Sequence, residues 1–179
     1  MMHSKLEDIS EQIDALFLDE RSRETTCPIW LADRREGEDR LPRELTAEQK
    51  AWLASIDFKP AAGNWAPLPG KDGLAGVVLG AEDRKTGGSN PLFAGSLPAV
   101  LPKGAYHYGW GPDDPALAAV AWALGAYGFT RYQANGTRIE RRLKLPKGAA
   151  RAEVVNIASA AWLGDRKSTR LNSSHRTGS

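Results

Sequence analysis

Sulfur is scarce in this chain. The one cysteine, Cys27, allows no internal disulfide, so the fold has to rest on burial and backbone hydrogen bonding, as expected in a reducing compartment. Histidine is also rare. His3, His107 and His175 lie far apart and no pair has zinc-type spacing, which argues against a metal site within the chain. No apolar run approaches the ~18 residues of a membrane-crossing helix. The start, Met1 to Asp8, is polar and acidic rather than basic and then apolar, so it is no secretory signal. The expected setting is the cytoplasm, with no membrane partner. Charge of one sign is lacking too. Of 24 basic and 22 acidic residues, four and one respectively fall in residues 165–179, so residues 1–164 carry a net −1. A near-neutral body offers little long-range attraction to nucleic acid.

What is present is one domain's worth of soluble, globular sequence: 179 residues, 41% hydrophobic and 26% charged, enough to bury a sizeable core. It is organised around Asp114 to Tyr132. Asp114 can cap a helix whose first position tolerates Pro115. Leu117, Val120, Ala121 and Leu124 then recur at one-face helical spacing. Ala118, Ala119, Trp122, Ala123 and Ala126 make the other face small or apolar, as in a helix packed on both sides.

Around it, Cys27 to Ala32 reads as a short buried strand, Asp33 to Arg43 as a solvated loop, and Thr46 with Gln49 as a capping box opening a helix that stops near Ser55. Phe58 to Pro69 reads as a proline-rich loop. Leu74 to Gly80 is apolar without alternation, the pattern of a strand buried on both faces. Gly-rich Glu82 to Asn90 reads as a loop, Tyr106 to Trp110 as a strand, Asn135-Gly136 as a turn, Arg138 to Leu145 as a strand and Ala149 to Leu163 as a helix. Strands alternating with helices predict an α/β sandwich with a mixed sheet. Residues 1–24 read as a weakly structured leader, in which Leu6, Ile9, Ile13 and Leu16 leave open one or two amphipathic helical turns or a loosely held segment. Residues 165–179, with one apolar side chain among fifteen, read as a disordered tail.

Trp122-Ala123-Leu124-Gly125-Ala126-Tyr127, then Phe129 and Arg131-Tyr132, resembles the Trp-x-Leu-Gly-x-Tyr-x-Phe-x-x-Tyr pattern of the N-terminal domain of the leucyl aminopeptidase family of metallopeptidases. Gly128 departs from it, standing where that family carries Arg. The strand near Ile29, the Trp52-Leu53 helix, the Gly73 to Gly80 strand, Leu101-Pro102-x-Gly-x-Tyr and Leu145-Pro146-x-Gly follow in the family's order, so the resemblance covers residues 25–164. It implies a three-layer, macro-domain-like α/β fold with flanking helices. It also implies a parent enzyme that releases N-terminal amino acids from peptides, using two divalent metals (manganese or zinc) in a separate catalytic domain, and that forms homo-oligomers. That domain's Asp-x-Glu-Gly-Arg motif does not occur in this chain, and the match stops after Gly164. Residues 166–175 resemble a translated sequencing-adapter read. The implied molecule is therefore the non-catalytic domain, truncated before its catalytic partner and inactive alone. The alternatives are a macro-like binding module for a nucleotide-type ligand and a DNA-binding accessory domain.

No catalytic, cofactor-binding or metal-binding residue is assigned. Cys27, at a strand start, reads as an inert thiol. Gly87-Gly88-Ser89-Asn90 lacks the Lys-Ser/Thr of a phosphate loop. Glu82-Asp83 reads as loop solvation and Asp113-Asp114 as helix capping.

Overall fold

The computed structural model describes residues 9–35, 38–81, 92–132 and 141–174, with backbone alone at 35, 127–132 and 165–174. A first helical segment, α1 (residues 9–14), leads into a short strand, β1 (Phe17–Leu18). Next come β2 (Cys27–Arg35), β3 (Glu38–Arg40), α2 (Ala47–Ser55), β4 (Trp65–Gly70) and β5 (Gly73–Gly80). A 3₁₀ turn (Phe93–Ser96) runs into α3 (Leu97–Val100), followed by β6 (Gly104–Tyr108), α4 (Pro115–Tyr132), β7 (Arg141–Lys144) and α5 (Arg151–Ser174). The sheet has the order β1-β7-β6-β2-β5-β4, with β3 added to β2. All neighbours along this path are parallel except β4 and β5, and β3 is antiparallel to β2. This is the mixed α/β architecture with flanking helices expected above.

The apolar run of β5 is explained by two cores. Val77 and Leu79 face a large cluster with Ile29, Tyr106, Trp122 and Leu143. Val78, on the other face, joins Ala32, Leu53, Ala66 and Leu68, as strand alternation requires. The smaller cluster is covered by α2, whose capping box is complete: Gln49 N–H donates to Thr46 Oγ1 at 3.2 Å, and Thr46 N–H to Gln49 Oε1 at 3.0 Å.

Four readings change. The stretch 58–69 is not all loop, because Trp65–Gly70 is strand β4. Its Pro67 and Pro69 lie on a sheet edge, where a missing N–H interrupts no ladder, and Trp52 Nε1 donates to the Pro67 carbonyl at 3.0 Å. The charged stretch 33–43 holds the end of β2 and all of β3, an exposed strand, with Asp33 opposite Arg40. The stretch 1–24 is not loose over its described part. Ile9, Ile13, Leu16 and Phe17 are at most 4% exposed, and β1 pairs with β7, Leu143 N–H donating to the Leu16 carbonyl at 2.8 Å. Beyond Gly164, the backbone of α5 stays helical to Ser174, where a disordered tail was expected. The 82–90 loop and the Asn135-Gly136 turn lie outside the described residues.

The central helix forms as predicted: Asp114 Oδ1 accepts from Leu117 N–H at 2.9 Å. It is buried on both sides, Val120 and Ala121 on the one face and Ala119, Trp122 and Ala123 on the other, but Leu117 and Leu124 are only half-buried. Gly125 is the reason. A Cβ there would lie 1.6 Å from the Gly95 carbonyl oxygen, and one on Gly95 would lie 2.8 Å from the Ala121 carbonyl oxygen. Helix and 3₁₀ turn touch backbone to backbone, which turns the small residues inward. Tyr127, Phe129, Arg131 and Tyr132 belong to the part of α4 whose side chains lie outside the described residues.

Arg151, at the start of α5, fastens the N-terminal segment. Its Nε and Nη2 grip Asp14 Oδ1 and Oδ2 at 2.6 and 3.0 Å, Nη1 reaches Asp19 Oδ1 at 2.9 Å, and Nη2 also meets the Phe17 carbonyl at 3.1 Å. Such a bidentate fork is stronger than a point-charge contact.

Two outcomes are expected. In an open helix, Ala is worth about 1 kcal/mol over Gly. Gly125→Ala should nonetheless destabilise by ~1–3 kcal/mol in denaturant melts, because the backbone it strikes must move. Gly164→Ala, with nothing within 4 Å of the added carbon, should be neutral or stabilising. A stabilised Gly125→Ala protein would mean that the helix does not sit on the turn. The second outcome concerns acid. The hydrogen bond from Arg151 holds the Asp14 carboxyl below its ordinary value of 3.8, with partial burial opposing and the charge of Arg151 helping. A lowered folded-state value means stability that is present above about pH 4 and lost as pH falls through that value. Wild type should therefore melt above Asp14→Asn at pH 6, with the gap closing below pH ~4. A gap independent of pH would refute the ionic role.

Candidate functional site

The carboxyl ends of β2, β5 and β6 converge beside the first turn of α4. β5 lies on one side of β2, and its crossover through the 3₁₀ turn and α3 returns on the other side as β6. Connections that leave a central strand in opposite directions open a crevice at its carboxyl end. Here that crevice is a cleft of about 480 Å³, within the usual range of small-molecule sites. Its floor is apolar: Leu31 from β2, Ala81 just past β5, Phe93 and Ala94 from the 3₁₀ turn, and Leu117 and Ala118 from α4. Trp110, just past β6, closes one wall, and the last residue of β3 with those that follow it, Arg40 to Arg43, forms another.

Trp110 is held firmly. Its ring lies 4.5 Å from that of Tyr108 and 6.3 Å from that of Phe93. Tyr108 Oη donates to the Ala118 carbonyl at 3.1 Å, tying β6 to α4. Burial pushes the Tyr108 phenol far up, so it remains a hydroxyl. Between the two aromatics, Gly109 N–H continues the β6–β2 pairing by donating to Ile29 O at 2.8 Å. A Cβ on Gly109 would fall 2.3 Å from Trp30 Cε3. Only glycine passes that indole while leaving its neighbour aimed at the cleft.

Among the described residues, the charged groups at the cleft are Asp33, Asp113 and Asp114 against Arg40 and Arg43. Asp114 already occupies the amino end of α4, with Asp113 beside it. A phosphate seeking that helix end would meet two carboxylates, which does not favour the nucleotide-binding alternative.

Among the described residues, those singled out outside the cleft do not assemble into a catalytic group. Cys27 registers with Tyr106 and His107 with Pro28, so the thiol and the imidazole point to opposite faces of the sheet. His107 Nδ1 shares a hydrogen bond with Thr26 Oγ1 at 2.8 Å. Burial and then the charge of Lys144 lower its pKa, a hydrogen bond with the Thr26 backbone opposing. Burial raises the Cys27 thiol to about 11, a protonated and unreactive form. Burial likewise raises Tyr106 to about 12, its Oη donating to the Pro102 carbonyl at 2.7 Å. Among the described residues, no three His, Cys, Asp or Glu side chains are grouped to hold a metal, and no helix is long and apolar enough to cross a membrane. His3, His175, Glu82-Asp83 and Gly87 to Asn90 lie outside the described residues. Sequence reading missed the cleft, because its walls come from segments far apart in the chain. The only local sign was the aromatic-Gly-Trp-Gly-Pro run between β6 and α4.

Comparisons with known proteins agree with this architecture. Residues 28–146 match the model of the M17 aminopeptidase N-terminal domain. The fold is similar to the crystal structure of cytosol aminopeptidase from Coxiella burnetii, with a TM-score of 0.60 and 25% identity over 80% of this chain. The match takes in 31% of that enzyme's chain, so the present chain spans about a third of its length. No curated protein matches the sequence. With more than half of its residues inside the family match, and a mixed sheet and flanking helices to accompany it, the chain belongs to the family of M17 aminopeptidase N-terminal domains.

Proposed function

We propose that this domain serves as a non-catalytic module of a metal-dependent aminopeptidase that releases N-terminal residues from peptides. The observation that carries the reading is the family match over residues 28–146. The absence of an Asp-x-Glu-Gly-Arg motif from the sequence supports it. The M17 family is metal-dependent, and in this reading its two divalent ions, manganese or zinc, belong to a catalytic domain that is this domain's principal partner. There the metals activate water and polarise the scissile carbonyl. The residues described here form a rigid α/β body beside that chemistry. The working compartment is the cytoplasm, as the single cysteine suggests, and the assembled enzyme a homo-oligomer, as the family resemblance implies. A near-neutral body speaks against a DNA-binding role.

The purified chain is expected not to hydrolyse leucine anilides, with or without added manganese or zinc. Anilide release should be followed in parallel with a full-length family enzyme. Metal-dependent turnover that co-purifies with this chain, and is abolished by substitution of one of its residues, would refute the reading.

A further inference from the structure

We propose that the cleft at the carboxyl ends of β2, β5 and β6 binds a zwitterionic amino acid or short peptide with an apolar side chain. Four features carry this. The site lies at the crevice the strand order creates, and its volume of about 480 Å³ suits a ligand of that size. Its lining by Leu31, Phe93 and Trp110 is apolar and presents a flat indole that Tyr108 and Phe93 hold in place. Among the described residues its charges are of both signs: Asp113 and Asp114 at the entry of α4, Arg40 at the end of β3, paired in register with Asp33, and Arg43 on the loop that follows. Finally, the amino end of α4, where an anionic ligand would ordinarily seat, is filled by the Asp114 carboxylate.

These features select among ligand classes. A purely apolar ligand would leave the charges unused, and a polyphosphate would face Asp113 and Asp114. A zwitterion satisfies both walls. Its ammonium group lies toward the α4 carboxylates, its carboxylate toward the arginine loop, and its side chain against Trp110. Asp33 and Asp113 also make other polar contacts, so Asp114 and Arg43 carry the test. This inference is independent of the proposed function, since binding is read as heat and requires no turnover.

The experiment is calorimetric titration of the full chain with leucyl-leucine, N-acetyl-leucyl-leucine, leucyl-leucinamide and ATP. Leucyl-leucine is expected to bind saturably. Capping either end should weaken it roughly tenfold, the scale of one charge-assisted hydrogen bond. Arg43→Ala should weaken leucyl-leucine by a similar factor while leaving leucyl-leucinamide unchanged. Asp114→Ser keeps a helix cap but removes the charge, and it should weaken leucyl-leucine while leaving the acetylated peptide unchanged. Absence of saturable heat with leucyl-leucine at millimolar concentration, equal affinity for capped and uncapped peptides, or tighter binding of ATP would each overturn the proposal. The ligand series decides the matter even if a variant fails to fold.

Discussion

The contact between Gly125 and Gly95 sets the geometry of the rest. Glycine inside a helix carries an entropic cost of about 1 kcal/mol relative to alanine, so its presence in α4 requires a return. The return is depth. Because the 3₁₀ turn touches bare helix backbone, α4 sinks until Ala119, Trp122 and Ala123 are sealed and the Trp122 ring lies 6.0 Å from that of Tyr106. The same depth puts the Ala118 carbonyl within reach of Tyr108 Oη, which in turn steadies Trp110. Core and cleft therefore share one mechanical origin. The Gly of the Trp-x-Leu-Gly-x-Tyr pattern has a physical reason that does not depend on the pattern.

At the far edge of the sheet the constraint is electrostatic. β1 is only two residues long, too short to hold its place by ladder hydrogen bonds alone. The buried side chains of α1 anchor it from one direction and Arg151 from the other. A bidentate guanidinium fork on Asp14, continued to Asp19 and the Phe17 carbonyl, fixes the segment to α5. The ion pair of Arg142 with Glu24 and the donation from Lys144 Nζ to the Ser22 carbonyl at 3.1 Å extend the attachment beyond β1. These contacts join residues far apart in sequence, which is why local reading left residues 1–24 open between an amphipathic helical turn and a loose leader.

What could be read from the sequence was what local chemistry dictates. Thr46 and Gln49, Asp114 and Pro115, and the unalternating run of β5 each announce a cap or a doubly buried strand within a few residues. The failures have a common cause. Pro67 and Pro69 suggested a loop because the positional tolerance of a sheet edge cannot be seen without knowing the strand order. Charge in Asp33 to Arg43 suggested a loop because an exposed two-stranded extension needs no apolar face. Leu117 and Leu124 looked like the buried stripe of α4 because leucine is the more apolar residue, but tight backbone contact favours alanine and glycine. The cleft was illegible because it is a property of topology, assembled where three strand ends meet one helix entry.

The pairing of β1 with β7 has a consequence for how the protein is made. Phe17 is matched with Leu143, and at ~5–20 residues per second a ribosome needs roughly 6–25 s to synthesise the intervening chain. Throughout that interval Ile9, Ile13, Leu16 and Phe17 have no β7 or α5 to pack against. The sheet between β2 and β6 can assemble earlier, but its last edge closes only when synthesis has passed Arg151. The newborn chain thus carries an exposed apolar N-terminal segment for many seconds, long enough for capture by a chaperone that scans nascent polypeptides.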